Sequence, residues 1–376
     1  MGDSAEKVRF DSPDVLRGIT IILIVLTHIV LLTNTGSEEG RGQPLPLQIL
    51  YLGLMSFFLM SGYFYRPGRS AVENIKKRAV QLVIALVICS VALPIITYVW
   101  LAICGQPSDI SDILGAFLKS MNLTNLFQTE VMNPTYIPCC TCVGYYFPWG
   151  MMGGFILFYI IADHVMDDYR KIAVALAALL GVTAVVILTG DIKLPFHFQM
   201  APITASFMLA GACLAKFKVL ERVESLEWRS CRYWFPLIVS AAVGIGLCVI
   251  LPPGVKFDYM VFGDYGAWSL IPYFIEAVCM FVVYLYLAKL FSRLPVLPRL
   301  FEVAGQHSLG ILLLHGFIAT MILAPFFVIP TTSWFPEELS FIQRIITALV
   351  TLIACILICR YGPSVIDRIR GKQVES

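Results

Sequence analysis

Ten long apolar stretches follow one another along the chain, each separated from the next by a short polar or Pro/Gly-rich connector. They run near 15–33, 47–65, 80–103, 146–163, 171–189, 198–215, 234–252, 267–288, 308–330 and 341–361. A helix needs about 20 apolar residues to cross a hydrocarbon core roughly 30 Å thick. The pattern therefore predicts ten transmembrane helices, with 171–189 and 198–215 crossing at little tilt. Backbone polar groups in lipid must be satisfied within their own segment, which favours helices. The expected fold class is all-α, a single polytopic helical bundle over residues 1–376 with no sizeable soluble domain. The first stretch is too long for a removable signal peptide and lacks the small-residue cleavage site. Connectors such as Arg66-Pro67-Gly68-Arg69 and Pro252-Pro253-Gly254 mark sharp turns. The longest, 104–145, contains a segment (113–128) that reads as a short interfacial helix, and is expected to form a lid over an outward-facing cavity.

Composition agrees with the pattern. The chain is 58% hydrophobic and 14% charged, against roughly 25% charged in soluble domains, and its mean hydropathy is +0.80. The net charge of +2 says nothing about partners, but the placement of the charges does. The N-terminus and every second connector hold 22 of the 27 Lys and Arg residues, while the alternate connectors hold Arg41, Lys119, Lys193, Lys256 and Arg344. The positive-inside rule then places both termini in the cytoplasm. A multi-pass protein of the plasma membrane is expected, in contact with lipid and with no nucleic-acid partner.

Six of the eleven cysteines (Cys89, Cys213, Cys248, Cys279, Cys355, Cys359) lie inside apolar runs, where the residue acts as a small hydrophobe. Cys104, Cys139, Cys140 and Cys142 lie in the long outer connector, where disulfides persist. Their spacing is poor for a tetrahedral metal cage and no His is near, so disulfides are expected ahead of metal. Asn122-Leu123-Thr124 has the form of a glycosylation acceptor, a pattern common by chance.

Ionisable residues inside spans are expensive and mark function by default. Arg17 and His28 are eleven residues apart. At 100° per residue this leaves a rotation of about 20°, so both project from one helix face, roughly 16 Å apart along the axis. Asp14, one turn before Arg17, is placed to pair with it. The bland alternatives are a positive-inside anchor for Arg17 and a core histidine for His28. A neutral imidazole among Ile, Leu and Val still demands a partner, which favours function for His28. His315 shares a face with Ser308, seven residues earlier, and Glu276 sits at mid-span, to be protonated, paired or lining water. His164 and His307 fall at span ends and His197 in a short outer loop, and need no special account.

The run Pro13-Asp14-Val15-Leu16-Arg17-Gly18 through Leu26-Thr27-His28, followed by Phe57-Phe58-Leu59-Met60-Ser61-Gly62-Tyr63-Phe64, resembles the membrane acyltransferase-3 family. That family opens with an Arg-x10-His helix and an aromatic Phe-Phe-x-x-Ser-Gly segment. A basic stretch follows, matched by Ile75-Lys76-Lys77-Arg78, and near the end a Ser-Leu-Gly-Ile-x-x-x-His helix, matched by Ser308 to His315. Phe147-Pro148-Trp149 is similar to the family's Trp-bearing fourth span, and the first helix is worded like the sugar O-acetylase branch. The chain departs at Gln81, where members often carry a second Arg. It also has Leu52-Gly53-Leu54-Met55-Ser56 where the sugar branch often has His-Met-Pro-Leu.

The resemblance implies transfer of an acyl group, commonly acetyl, from cytosolic acyl-CoA to a hydroxyl of an envelope glycan or a similar sugar or lipid-linked acceptor. Acetyl-CoA is then the donor and no metal is required. Arg17, Lys76, Lys77 and Arg78 suit the CoA phosphates, which Arg holds bidentately. His28 suits the general base, and an acyl-histidine intermediate is left open. Ser61, Trp149, Glu276 and His315 are candidates to shape the cavity or orient groups, although Ser61-Gly62 equally fits close helix packing. Two rivals differ in class. A transporter or flippase would use broken helices or inverted repeats. A sensor would leave the Arg–His spacing unexplained.

Overall fold

The computed structural model describes residues 12–31, 45–106, 117–118, 146–189, 194–250, 255–256, 261–262, 267–294, 297–328 and 339–369. Both expected cytoplasmic termini, Cys139, Cys140 and Cys142, the Asn122–Thr124 triplet and nearly all of segment 113–128 lie outside the described residues.

The chain forms helices at all ten predicted stretches. They are α1 (Ser12–Leu26), α2 (Leu45–Tyr63), α3 (Ala71–Ile103), α4 (Tyr146–Val165), α5 (Tyr169–Thr189) and α6 (Ala201–Lys216), followed by a short α7 (Val219–Ser225). Then come α8 (Cys231–Ile250), α9 (Leu270–Phe291), α10 (Leu297–Gln306), α11 (Ser308–Leu323) and α12 (Phe341–Ile369). A two-residue antiparallel ladder, Val255-Lys256 against Val261-Phe262, joins α8 to α9. By length and composition seven described helices can cross a membrane, eight if the bent pair α10–α11 counts as one span. The fold is an all-α membrane bundle.

Three boundaries differ from the hydropathy pattern. Helix α3 starts at Ala71, nine residues before the expected span, because Ser70 caps it by accepting from the Glu73 N–H at 3.3 Å. The basic residues Lys76, Lys77 and Arg78 therefore ride on helix rather than on a connector. The expected span 308–330 ends at Leu323 and meets α10 at an 87° bend beside His307. Helix α1 widens into a π-helical turn over Thr27–Leu31, and His28 lies in that turn; such turns occur often at functional sites.

Interior packing explains the order. Two glycines let α2 and α6 cross at backbone contact: a Cβ on Gly62 would overlap the Met208 carbonyl, and one on Gly211 the Leu59 carbonyl. The Ser61-Gly62 pair thus serves close helix packing through its glycine, while the Ser61 hydroxyl donates to the Phe57 carbonyl at 2.7 Å. Stacked rings fill the space around this crossing, Phe58 on Phe147 and Phe207 on Phe274. Ile84, Ile88 and Ile96 of α3, Val182, Val185 and Leu188 of α5, Phe235 and Val249 of α8 and Ile346 and Ile353 of α12 point outward and exposed. Hydrocarbon is the solvent that such a surface fits.

At the Arg17 end of the bundle α7 is tied to its neighbours by polar side chains. Lys289 of α9 is fully buried and its Nζ donates to the Val223 carbonyl at 2.6 Å, the Glu224 carbonyl at 2.9 Å and the Leu226 carbonyl. A cation on the last carbonyls of a helix satisfies acceptors that have no partner within the helix. The Tyr63 hydroxyl donates to Glu221 Oε2 at 2.7 Å and accepts from the Leu220 N–H, and Ser12 Oγ donates to the Glu224 carboxylate.

Candidate functional site

Helices α1 and α11 bring two histidines together in the bundle interior. His28 Nδ1 and His315 Nε2 lie 3.0 Å apart, with ring centroids at 5.0 Å and planes inclined by 18°. His28 is 5% exposed and His315 1%, so neither ring can exchange its partner for bulk water. The other nitrogen of His315, Nδ1, faces the carbonyls of Ile311 at 3.1 Å and Leu312 at 2.8 Å, one turn back on its own helix. The pair joins residues 287 positions apart, so no local pattern in the sequence could disclose it.

Helix α11 is held in place along its length. At its start the elbow to α10 packs on α1: a Cβ on Gly18 would overlap the Phe301 carbonyl, and one on Gly305 the Asp14 carbonyl. Gly310 gives α11 close approach to Cys359 of α12. At the far end, Trp100 Nε1 donates to the Met321 carbonyl at 3.2 Å, and Gln106 Nε2 donates to the carbonyls of Ala324 and Phe327.

Arg17 stands near the start of α1, about 16 Å along the axis from His28 at 1.5 Å per residue. It pairs with Asp14 at 3.3 Å as the spacing predicts, and its guanidinium lies over the Phe64 ring, 5.7 Å from the centroid. Arg78 is near enough for its charge to act on Arg17. Its Nε donates to the Tyr159 hydroxyl at 3.4 Å, its guanidinium covers Phe155 at 5.2 Å, and Nη1 donates to Gln81 Oε1 at 3.4 Å. Gln81 thus props the guanidinium where a second Arg was absent. Phe64, Phe155 and Tyr159 are neighbours of the two candidate guanidiniums that sequence reading did not single out; the signal available was their aromatic surroundings, which read equally well as core.

The other sequence candidates sit elsewhere. Lys76 and Lys77 are exposed on α3. At 100° per residue Lys76 projects about 200° around the helix axis from Arg78 and Lys77 about 100°, so the three basic residues fan around α3 rather than sharing one face. Glu276 is buried on α9 against α8, where it accepts the Cys248 thiol. Trp149 is buried on α4 with its ring 4.9 Å from that of Phe196, and its Nε1 finds no hydrogen-bond acceptor among the described residues. Phe196 and His197 both adopt left-handed backbone, at φ 57° and 55°, a conformation costly for residues with a Cβ. Cys104 carries a free thiol. Among the described residues no three His, Cys, Asp or Glu side chains gather as a metal site.

A cleft of about 590 Å³ opens at the same end of the bundle as Arg17, lined among others by Tyr65, Gly68, Asp163, Asp167 and Lys216. Its carboxylates are engaged: Asp163 accepts from the Tyr65 hydroxyl and the Ala71 N–H, both at 3.0 Å. Lys171 bonds Asp167 at 2.6 Å and holds that carboxyl below its ordinary range. Tyr65 also lies 6.0 Å, ring to ring, from Tyr159, which connects the cleft to Arg78.

The architecture supplies a buried imidazole pair and, one helix length away, two guanidiniums over aromatic rings beside an open cleft. No curated protein and no solved structure is significantly similar to the chain. A family described as an acyltransferase domain matches residues 10–360, a range that takes in Arg17, His28, Arg78 and His315. With its membrane bundle and nearly its whole length matched, the chain belongs to the acyltransferase-3 family of membrane acyltransferases.

Proposed function

We propose that the chain is an O-acyltransferase of the plasma membrane. In this reading it moves an acyl group, acetyl in the simplest case, from cytosolic acyl-CoA to a hydroxyl of an envelope glycan, sugar or lipid-linked acceptor. The observation that supports this most is the single helix α1, which presents Arg17 near an open end of the bundle and His28 in its interior. Phosphates of CoA meet Arg17 and Arg78, whose planar forks suit bidentate contact, and the acylated pantetheine arm extends along α1 toward His28.

The chemistry balances on one imidazole. His28 takes the proton of the acceptor hydroxyl as its oxygen bonds to the thioester carbonyl carbon. The tetrahedral intermediate collapses, the carbon–sulfur bond breaks, and the departing thiolate takes the proton back from His28. The products are an O-acyl ester and free CoA. Trp149, with its buried N–H, and Ser61 remain candidates for contact with the acceptor.

A second reading, a transporter or flippase, draws on the 87° break between α10 and α11, since discontinuous helices build substrate sites in transporters. Purified protein in detergent, given acetyl-CoA and a panel of sugar and lipid-linked acceptors, separates the two. Acceptor-dependent release of CoA thiol that is lost in His28→Gln is the expected result. Acceptor translocation with no consumption of acetyl-CoA would overturn the acyltransferase reading.

A further inference from the structure

We propose that His315 is a positioning residue that fixes the tautomer of His28, so that Nε2 of His28 is the nitrogen that receives the acceptor proton. The inference rests on the reading of His28 as general base and names which atom of it acts.

The assignment follows from the partners. Carbonyl oxygens only accept hydrogen bonds, and His315 Nδ1 lies 2.8 Å from the Leu312 carbonyl and 3.1 Å from that of Ile311. Nδ1 of His315 therefore carries the proton, and in the neutral ring its Nε2 is an acceptor. His28 Nδ1 faces that acceptor at 3.0 Å. Two lone pairs cannot share such a distance in a site closed to water, so His28 Nδ1 donates and its own lone pair resides on Nε2. The order is carbonyl, His315, His28, acceptor hydroxyl, each group oriented by the one before it.

The same chain stabilises the charge that forms during the reaction. When Nε2 takes the hydroxyl proton, the His28 imidazolium keeps its Nδ1–H bond to His315, now charge-assisted and stronger. The proton on Nε2 later leaves with the CoA thiol, and His315 ends with the protons it began with. A carboxylate performs this orienting role in hydrolase triads; here a neutral imidazole, anchored on the carbonyls of its own helix, takes its place. The ties from Trp100 and Gln106 and the close approach at Gly310 keep α11, and hence that acceptor, at a set position.

The test uses full-length protein in detergent with ring-15N histidine. The chain has five histidines, few enough to assign His28 by comparison with His28→Gln. In the wild type, Nδ1 of His28 should be protonated and Nε2 bare. His315→Ala should return His28 to the Nε2–H form that free imidazole favours. Its kcat for acetyl-CoA consumption should fall by about 10–100-fold, the usual loss on removing an orienting partner, with KM for acetyl-CoA unchanged. His315→Gln, whose side-chain oxygen accepts a hydrogen bond, should restore the Nδ1–H form and most of kcat. An Nε2–H signal in the wild type, or an Nδ1–H signal that survives in His315→Ala, overturns the proposal. If His315→Ala does not fold, the wild-type and His315→Gln spectra decide it alone. The expected tautomers in a wild-type protein that consumes no acetyl-CoA would uphold the positioning role and refute the transferase reading instead.

Discussion

The guanidinium of Arg17 lies over the ring of Phe64, 5.7 Å from its centroid. This contact joins the two sequence segments with the strongest individual character, the opening Arg–His helix and the aromatic run that ends α2. A cation over an aromatic face contributes about 0.5–1 kcal/mol where water reaches it. Its larger effect is to aim the guanidinium away from the apolar interior while Asp14 balances part of its charge.

If Arg17 and Arg78 hold the CoA phosphates, Arg17→Gln and Arg78→Gln should each weaken acetyl-CoA binding by roughly 10–100-fold, the equivalent of ~1.5–3 kcal/mol for a charge-assisted bond. Lys76→Gln should change it little, because that residue points away from Arg78. Calorimetric titration of the purified variants reads both. Equal losses for Lys76→Gln and Arg78→Gln would move the docking face to the outer side of α3.

His28→Gln keeps a hydrogen-bonding side chain of similar size but removes the base. Turnover should fall by about 10²–10⁴-fold, the span of general-base catalysis, while acetyl-CoA affinity stays near that of the wild type. A folded His28→Gln enzyme with normal turnover would remove His28 from the chemistry.

The α2–α6 crossing tolerates no side chain at Gly62, where a Cβ meets the Met208 carbonyl. Gly62→Leu should lower stability by about 1–3 kcal/mol, the range for overpacking a tight contact, seen as a lower melting temperature in detergent. Ser61→Ala, whose hydroxyl only returns to its own helix, should melt like the wild type. A Gly62→Leu protein that melts like the wild type would mean that the two helices do not approach this closely in the membrane.

Orientation can be read from two thiols at opposite ends of the bundle. Cys104 closes α3 and Cys231 opens α8, and both are free. In variants whose sole cysteine is Cys104 or Cys231, an impermeant maleimide added to intact cells should label Cys104 and leave Cys231 untouched until the membrane is opened. The reverse order would invert the expected topology.

Most of the bundle was legible in the sequence because lipid imposes one simple condition, a long apolar helix, and the chain meets it repeatedly. The Arg17–Asp14 pair was legible for the same reason, since it follows from helical spacing alone. The widened turn at His28 was not, because neither Pro nor Gly marks it. Nor was the sharp elbow at His307, because Gly305 just before it reads equally well as a glycine within a helix and tertiary packing decides the bend. The spread of Lys76, Lys77 and Arg78 was not legible either: once Ser70 starts the helix early, consecutive residues fan around its axis. Glu276 read as a candidate because it is a buried carboxyl; that its partner is Cys248 was not legible, because hydropathy cannot say which helices are neighbours.

The elbow at His307 sends one arm along the Asp14–Gly18 end of α1 and the other down to His28. The first helix is thus gripped at two points by one bent piece of chain. The spacing between donor-binding end and reacting centre is consequently measured by a single ruler, α1, clamped by a single bracket, so looseness in the peripheral helices does not accumulate into it. A shift of α1 by one residue, about 1.5 Å, would have to break both grips at once.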